Sequence, residues 1–438
     1  MVSPLIQVPK PVDLAPFLRP NASDHSARYG LPPQIQFCER CVISNQRPNS
    51  AVEYQHTRAA SKITIHFDSE GVCDACRLAE QKANIDWGSR EQQLRDLCDR
   101  HRKTDGSYDC IVPGSGGKDS LYAAHVLQHD FGMHPLTVTW APHIYTEWGW
   151  RNFQRWIHAG FDNHLYTPNG RIHRLLTRLA VDNLFHHFQP FIFGQKSLAP
   201  KMALLHEIPL VFYGENEAEY GNPIADASNA TRSEKYYAAH EGQGVFLVGT
   251  SIEDLVESFG VDRFELQPYL PANPEQIAES RIEVHYLGFY LKWHPQSCYY
   301  YAHEHGGFEA SPERTPGTYS KYNSIDDRID DFHYYTTFIK FGIGRATYDA
   351  AQEIRSRDIT REEGVALVRQ FDGEFPDRFK SEIYEYLSIP PEQFPNASKQ
   401  FEEFRMSDEY FRLLTDSFRS PHIWAHTGDT WELREQVS

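Results

Sequence analysis

The chain has 438 residues, of which 40% are hydrophobic and 24% charged, the composition of an ordinary globular protein with room for two or three domains. Asp and Glu number 60 against 43 Lys and Arg, a formal net charge of −17, which argues against a general nucleic-acid binder because such proteins need cations to replace phosphate counterions. No apolar run is long enough for a membrane helix, and the N-terminus lacks the pattern of a secretory signal, so we expect a cytoplasmic protein without membrane insertion.

The opening stretch, MVSPLIQVPKPVDLAPFLRP, is rich in proline and predicts an extended arm over residues 1–35. Two C-x2-C pairs follow within residues 36–80, and four thiolates suit the tetrahedral preference of zinc. Residues 63–71 alternate and end in a turn, which is typical of a small ribbon. We therefore predict a zinc ribbon with a closed, structural site, with buried or redox-active thiols as the alternative. The predicted ligands are Cys38, Cys41, Cys73 and Cys76.

Three further cysteines, Cys98, Cys110 and Cys298, bring the total to seven. An odd number in a long chain without an export signal does not indicate a disulfide framework. None of the three lies at the tight Gly-flanked turn of a nucleophile, so we expect all three to be buried packing residues.

The stretch SGGKDS, residues 115–120, separates a predicted strand at Tyr108–Val112 from a predicted helix at residues 121–132. A strand, a glycine-rich turn and a helix N-terminus place backbone N–H groups and a helix dipole around an anion. The spacing is not that of the Walker loop or of the dinucleotide fingerprint. We predict a nucleotide phosphate here, against a turn that binds nothing. The predicted contacts are Ser115, Gly116, Gly117, Lys118, Asp119 and Ser120.

Strand and helix patterns alternate after the loop and predict an α/β fold with a doubly wound parallel sheet over residues 81–260. Ligands of such sheets bind at the carboxyl ends of the strands. The segments 141–150 and 214–222 should therefore flank the loop, with Thr139, Trp140 and Gly214 as further nucleotide contacts. The predicted strands are 135–140, 163–167 and 208–215, and the predicted helices are 149–160, 171–187 and 197–206.

SGGKDS resembles the pyrophosphate loop of the ATP pyrophosphatase (PP-loop) superfamily. Over residues 37–375 the chain looks like the N-acetyl sugar amidotransferases of bacterial O-antigen and surface-polysaccharide biosynthesis. The resemblance lies in the two CxxC pairs, SGGKDS, TWAPHIYTEWGWRNF, PFIFGQKSLAPKMA, YGENEAEYGN and DFHYYTTFIKFGIGRATYDAAQEIR. It implies conversion of an acetamido group to an acetamidino group with ATP and Mg²⁺, through an adenylated intermediate. It also implies ammonia from a separate glutaminase subunit, with or without that subunit's cyclase-like companion.

Catalytic candidates come from the loop and from YGENEAEYGN, which brings carboxylates and an amide to a strand end. Asp119 either supports Mg²⁺ or caps the helix, and Lys118 either contacts phosphate or is solvated. The polar side chains of YGENEAEYGN bind Mg²⁺, interact with the ammonia nucleophile or form a solvated acidic loop. The catalytic candidates are Lys118, Asp119, Glu215, Asn216 and Glu217, with Glu219 beside them.

Residues 261–438 are predicted to form a mainly helical substrate or partner region, including a helical segment at 332–357 with a break at Gly342 and Gly344. A capping box at Thr360 and Glu363 starts the next helix. The tail beyond about residue 385 is expected to be charged and helical. The aromatic-rich segment 279–308 suits a sugar surface or, for most of its residues, a packed core.

Four cations are candidate substrate contacts: Lys196, Lys201, Lys340 and Arg345. The first two lie one helix before YGENEAEYGN and could meet phosphates, or they are surface helix lysines. The other two flank the Gly342/Gly344 break and could clamp a sugar carboxylate or a diphosphate, or they form surface salt bridges.

Two other functions compete with an amidotransferase. A tRNA thiolase can also join zinc-binding cysteines to such a loop, but it would need a basic face and further clustered cysteines. A non-catalytic nucleotide-binding subunit would need neither the intact loop nor the acidic segment. The chain begins Met-Val-Ser and lacks the cysteine setting of either glutaminase type, so we expect ammonia to come from elsewhere.

Overall fold

The computed structural model describes residues 5–7, 9–18, 25–240 and 244–438. Within these ranges, no helix combines the length and the apolar character that a membrane span requires. The strands are β1 (Cys110–Pro113), β2 (Pro135–Trp140), β3 (Asn163–Tyr166), β4 (Leu210–Tyr213), β5 (Phe246–Leu247), β6 (Thr250–Ser251), β7 (Glu283–Tyr286), β8 (Trp424–Thr427) and β9 (Thr430–Leu433).

Helices surround the strands. The first nine are α1 (Asp74–Lys82), α2 (Trp87–His101), α3 (Lys118–His129), α4 (Glu147–His158), α5 (Gly170–Leu184), α6 (Gln189–His206), α7 (Ile224–Ala227), α8 (Ile252–Glu257) and α9 (Arg263–Leu266). The others are α10 (Pro274–Glu279), α11 (Leu287–Tyr290), α12 (Pro295–Gly306), α13 (Asp330–Phe341), α14 (Arg345–Ser356), α15 (Arg361–Phe371), α16 (Lys380–Leu387) and α17 (Asp408–Phe418). The short 3₁₀ helices are Ala15–Phe17, Glu53–Gln55, Glu217–Tyr220, Glu234–Tyr236, Gln267–Tyr269, Asp377–Phe379 and Ala397–Gln400.

A five-stranded parallel sheet in the order β3-β2-β1-β4-β7 forms the centre of the molecule. Its first four strands confirm the predicted alternation. Because side chains alternate across a strand, Ile111 and Val211 join the core cluster formed with α5 and α6. Val112 and Phe212 join the opposite cluster, formed with α2, α3, α4 and α12. Helices therefore cover both faces, as the near-continuous apolar character of these strands requires.

The fifth strand, β7, lies beyond residue 260, in the segment that the sequence assigned to the C-terminal region. It pairs with β4 in parallel, with Val284 opposite Val211. Only four residues long and within an aromatic-rich segment, it carries a weak strand signal. Most of the aromatic side chains around it are buried, including Tyr286, Tyr290 and Trp293, which confirms the packed-core interpretation for them.

The predicted extended arm is only partly described, because residues 1–4, 8 and 19–24 lie outside the described residues. The part that is described is not wholly extended, since Ala15–Phe17 forms a 3₁₀ turn. Phe17 is completely buried and lies edge-on to Trp431, with ring centroids 4.8 Å apart. Apolar contact with the C-terminal region therefore holds this segment.

The predicted break in the helical segment is confirmed, because α13 ends before Gly342, which has a φ of +67°, and α14 begins at Arg345. The capping box is also confirmed, because the backbone N–H of Glu363 donates to Thr360 Oγ1 at 3.2 Å and the Thr360 N–H donates back to Glu363 Oε2 at 2.8 Å. The tail is not purely helical, since β8 and β9 form an antiparallel hairpin after α17. Strands of four residues are too short for a clear periodicity, which explains the wrong expectation.

Candidate functional site

The four paired cysteines form a single buried cluster, whose Sγ atoms all lie within 4.8 Å of one another. The Cys38 and Cys76 Sγ atoms are 3.9 Å apart, and those of Cys41 and Cys73 are 3.8 Å apart. Tetrahedral zinc with Zn–S bonds of about 2.3 Å requires sulfur–sulfur separations of about 3.8 Å. The residues therefore fit a zinc ion, and four thiolates leave no position for a substrate.

The cluster is held by local turns and by the C-terminal helices. Cys73 is the N-cap of α1, and its backbone N–H donates to Cys38 Sγ at 3.3 Å. Arg361 Nε donates to the Cys41 carbonyl at 3.2 Å, which ties the cluster to α15. The segment contains isolated antiparallel bridges, such as Phe37 with Ser44, and no regular strand within residues 36–80. The cysteine module is therefore a set of turns followed by α1 rather than a two-stranded ribbon.

The glycine-rich loop connects β1, at the centre of the sheet, to the N-terminus of α3. Gly116 has a φ of +85°, and a Cβ at this position would lie 2.7 Å from Phe153 Cα, so only glycine fits. At Gly117, by contrast, a Cβ would meet nothing closer than Ser115 Oγ at 3.8 Å. The backbone is therefore open on the side where an anion would approach the first N–H groups of α3.

Lys118 and Asp119 form a close ion pair at the start of α3, with Lys118 Nζ 2.6 Å from Asp119 Oδ2. Burial alone would lower the pKa of Lys118, but the charges of Asp119 and Glu215 outweigh it and raise the pKa above its usual value. Lys118 is only 6% exposed, so the solvated-lysine alternative is wrong. The capping alternative for Asp119 is also wrong, because the N-cap is Gly117.

Glu215 follows β4 and lies opposite the loop. Its Oε1 accepts a hydrogen bond from Trp293 Nε1 at 3.2 Å, and its Oε2 accepts one from the hydroxyl of Tyr220. Burial, reinforced by the negative charge of Asp119, raises the pKa of Glu215 from 4.5 to about 8, although Lys118 opposes the shift. This carboxyl group can therefore exchange a proton near neutral pH.

The other side chains of the acidic segment have different partners. Glu217 forms an ion pair with Arg232, whose charge outweighs burial and lowers the pKa of Glu217. Asn216 caps the 3₁₀ helix Glu217–Tyr220 by accepting from the Ala218 N–H at 3.0 Å. Glu219 Oε1 lies 2.7 Å from Lys82 Nζ, away from the loop. The segment is therefore not a solvated acidic loop, and Asn216 has a structural partner.

Two cavities flank the loop. The first, which we call the sheet cavity, has a volume of about 450 Å³ and lies at the carboxyl ends of β1, β2 and β4. Its lining includes Ser120, Trp140, Gly214, Glu217 and two cations, Lys196 and Arg232. Gly194 allows α6 to pack closely against Trp140 at the end of β2, because a Cβ there would lie 1.9 Å from Trp140 Cδ2.

The second, which we call the C-terminal cavity, has a volume of about 440 Å³ and lies on the other side of the loop. Lys118 and Gly116 line it together with a long stretch of later residues. Asp326 in its lining is half-buried and forms a hydrogen bond with Ser115 of the loop, and desolvation of its carboxyl group raises the pKa of that group. The later lining residues are Phe308, Tyr322, Asn323, Ser324, Ile325, Asp326, His333, Tyr334, Thr337, Arg345, Tyr348, Asp349 and Gln352.

The structure separates the four candidate substrate cations. Lys196 lies at the sheet cavity, where its Nζ is 3.4 Å from Glu53 Oε1. Arg345 lies at the C-terminal cavity and pairs with Asp349, with Nε 3.1 Å from Oδ1. Lys201 and Lys340 line neither of these two cavities.

Lys201 Nζ donates to the Gln267 and Pro268 carbonyls, both at 3.1 Å. Lys340 is 4% exposed and donates to the Leu184 carbonyl at 2.7 Å, so it cannot form a clamp with Arg345. The helical break turns Arg345 toward the cavity and leaves Lys340 in the core. Thr139, a predicted nucleotide contact, instead accepts a hydrogen bond from Asn163 Nδ2 at 2.9 Å and lines neither cavity.

The three unpaired cysteines are buried, as predicted, with exposures of 0–2%. Burial raises the pKa of Cys98 to about 12 and raises the pKa values of Cys110 and Cys298 well above the usual range. Thiols in such surroundings are poor nucleophiles.

Sequence reasoning missed four residues at the site: Tyr220, Arg232, Trp293 and Asp326. Tyr220 lies within the stretch YGENEAEYGN, so its position was available although its role was not. Trp293 stands among the aromatic residues of a core-like segment. Arg232 and Asp326 carry no local signal, because only the folded chain brings them to the loop.

Comparison with known proteins connects part of the chain with polysaccharide biosynthesis. Residues 316–438 match the family model described as LPS biosynthesis protein WbpG-like, C-terminal domain. A curated protein of Methanocaldococcus jannaschii, Uncharacterized protein MJ1599, is 31% identical over 83 residues, which are 19% of this chain and 29% of that protein. The chain thus covers less than a third of that relative's length.

The family match also bears on the two cavities. Most of the later residues lining the C-terminal cavity fall within 316–438, whereas none of the residues lining the sheet cavity does. The part of the chain that is similar to a lipopolysaccharide-biosynthesis domain therefore builds one side of the site.

Proposed function

We propose that this protein is an ATP-dependent amidotransferase that converts the acetamido group of an N-acetylated sugar to an acetamidino group, releasing AMP and pyrophosphate. The observation that carries the proposal is the position of the SGGKDS loop between two cavities. One cavity is formed by the carboxyl ends of a parallel sheet, where nucleotides bind in such folds. The other is formed largely by residues similar to a lipopolysaccharide-biosynthesis domain.

The sheet cavity suits ATP in size and charge. Pockets for ligands of this kind measure about 300–1,000 Å³, and this one measures about 450 Å³. Lys196 and Arg232 supply positive charge at one side, and the loop N–H groups with the α3 dipole supply it at the other. In this arrangement the loop holds the β- and γ-phosphates, the group that leaves as pyrophosphate.

Asp119 is the residue best suited to hold Mg²⁺, since the ion usually takes one or two carboxylates and completes its shell with phosphate oxygens and water. Asp119 lines both cavities and is partly exposed, whereas both carboxyl oxygens of Glu215 already accept hydrogen bonds, from Trp293 and Tyr220. When bound, Mg²⁺ would neutralise negative charge that develops on the phosphates. Lys118, paired with Asp119, places a further positive charge on the side of the loop that lines the C-terminal cavity.

The chemistry needs activation because an amide carbon is a poor electrophile and its oxygen a poor leaving group. The acetamido oxygen attacks the α-phosphorus of ATP, the bond from that phosphorus to the bridging oxygen breaks, and pyrophosphate leaves. The resulting O-adenylyl imidate carries AMP as a good leaving group. Ammonia then attacks the imidate carbon, and the carbon–oxygen bond to AMP breaks to leave the amidine. A separate glutaminase subunit is the proposed source of the ammonia.

The experiment that tests this proposal supplies the purified protein with ATP, Mg²⁺ and ammonium chloride. The acceptors are a panel of diacetamido nucleotide-sugars and acetamido nonulosonic acids whose acetamido oxygen is labelled with the heavy isotope. Mass spectrometry should find an amidine product, equimolar pyrophosphate and AMP that carries the heavy oxygen, because the acceptor oxygen leaves with AMP. AMP formed with bulk tRNA and a sulfur donor, but with none of the sugars, would instead establish a tRNA thiolase.

A further inference from the structure

The two cavities are not independent, because five residues line both of them. They are Ser115, Gly117, Asp119, Glu215 and Tyr220. A group transferred from a ligand in one cavity to a ligand in the other must pass the place where the cavities meet. The reacting atoms therefore lie beside these residues, and Glu215 and Tyr220 form the wall opposite the loop.

Glu215 and Tyr220 are joined to each other. Tyr220 ends the 3₁₀ helix that follows Glu215, and its hydroxyl donates a hydrogen bond to Glu215 Oε2. Trp293 Nε1 occupies the other carboxyl oxygen at 3.2 Å, so the carboxyl plane is held from both sides. The Tyr220 oxygen retains acceptor capacity, and Tyr220 lines both cavities.

We propose that Tyr220 is a catalytic residue and that Tyr220 and Glu215 form a two-membered relay, which removes the proton from the attacking ammonia. The inference rests on the proposed function and deepens it, because it assigns the second half of the reaction to named groups. The C-terminal cavity is then the acceptor site, and the acetamido carbon lies at the junction beside the Tyr220 hydroxyl.

The adenylated acetamido group keeps its own N–H proton as a protonated imidate. When the nitrogen of ammonia bonds to the imidate carbon, the C=N electron pair moves to the sugar nitrogen, and the incoming nitrogen becomes positively charged. With Glu215 in its ionised form, one N–H proton passes to the Tyr220 oxygen, and the Tyr220 hydroxyl proton passes to Glu215 Oε2. The electron pair left on nitrogen helps to expel AMP as the carbon–oxygen bond breaks. Glu215 then returns its proton to solvent through the open side of the cavity, and the pair is restored.

The surroundings of Glu215 suit this role. Four titratable groups lie near the Glu215 carboxyl group. Lys118 and Asp119 belong to α3, Glu219 belongs to the 3₁₀ helix Glu217–Tyr220, and Cys298 belongs to α12. Burial and the acidic neighbours oppose ionisation of the carboxyl group, whereas the ammonium group of Lys118 and the indole N–H of Trp293 favour the carboxylate form that accepts the Tyr220 proton.

The test compares Tyr220→Phe with wild type in the labelled-acceptor assay, using the acceptor that yields amidine. Tyr300→Phe is the matched control, because Tyr300 is 63% exposed on α12 and lines neither cavity. Tyr220→Phe should still release acceptor-dependent pyrophosphate, because the first step does not use the relay. The yield of amidine per pyrophosphate should fall by about 100-fold as water hydrolyses the adenylate, since a positioned acid–base group contributes at least that much.

Pyrophosphate release also reports that the variant is folded. Raising the pH should partly restore amidine formation in Tyr220→Phe, because free hydroxide replaces the relay. A wild-type amidine-to-pyrophosphate ratio in Tyr220→Phe would overturn the relay while leaving the proposed function intact. No amidine from wild-type enzyme with any acceptor would overturn the proposed function, and the relay with it.

Discussion

Replacement of Glu215 by Gln should make the protein more stable at neutral pH while removing its proposed activity. Glu215 has a pKa of about 8 in the folded protein against 4.5 for an ordinary glutamate. Between these values the unfolded chain releases its proton and the folded protein keeps it, so wild-type stability falls as the pH rises. Each pH unit within this window lowers the free energy of unfolding by about 1.4 kcal/mol, and the total decrease between pH 4.5 and pH 7 is about 3 kcal/mol.

Glutamine removes this loss and keeps both hydrogen bonds, because its carbonyl can accept from Trp293 Nε1 and its amide can donate to the Tyr220 oxygen. Equilibrium urea unfolding should therefore show Glu215→Gln and wild type with similar free energies of unfolding near pH 4.5. At pH 7 the variant should be more stable by about 3 kcal/mol. Glu279→Gln, at an exposed position at the end of α10, is the matched control. A constant difference between Glu215→Gln and wild type at the two pH values would refute the reasoning.

Three further predictions concern the loop, the cysteine cluster and the sheet cavity. Gly116→Ala should lower the free energy of unfolding by about 2 kcal/mol or more, because the alanine must adopt a left-handed φ and its Cβ clashes with the backbone of Phe153. Gly117→Ala should change it by less than about 0.5 kcal/mol in the same urea experiment, and equal losses would contradict the difference in space around the two glycines. Cys76→Ser should abolish bound zinc, measured by elemental mass spectrometry, and lower the melting temperature; wild-type zinc content would rule out a zinc site made of all four cysteines. Glu53→Gln should raise the KM for ATP about tenfold with a smaller change in kcat, because it removes the carboxylate that holds Lys196. An unchanged KM would show that Lys196 does not contact the nucleotide.

Local sequence patterns determined the parts of the protein that depend on neighbouring residues. β1, the glycine-rich loop and α3 are contiguous, so hydrophobic periodicity and the glycines predict them together. The cysteine pairs and the Thr360–Glu363 capping box are likewise set by spacings of three residues. These features need no knowledge of the rest of the chain.

Only the tertiary structure decided which polar groups meet at the loop. The sequence leaves Lys118 open between a phosphate contact and a solvated lysine, and its burial beside Asp119 and Glu215 excludes the solvated lysine. Trp293 reaches Glu215 across 78 positions of the chain. The C-terminal cavity, too, joins the loop to residues that come much later in the chain, from Phe308 to Gln352. Such contacts depend on how helices and strands pack, and local periodicity contains no information about packing partners that are distant in the chain.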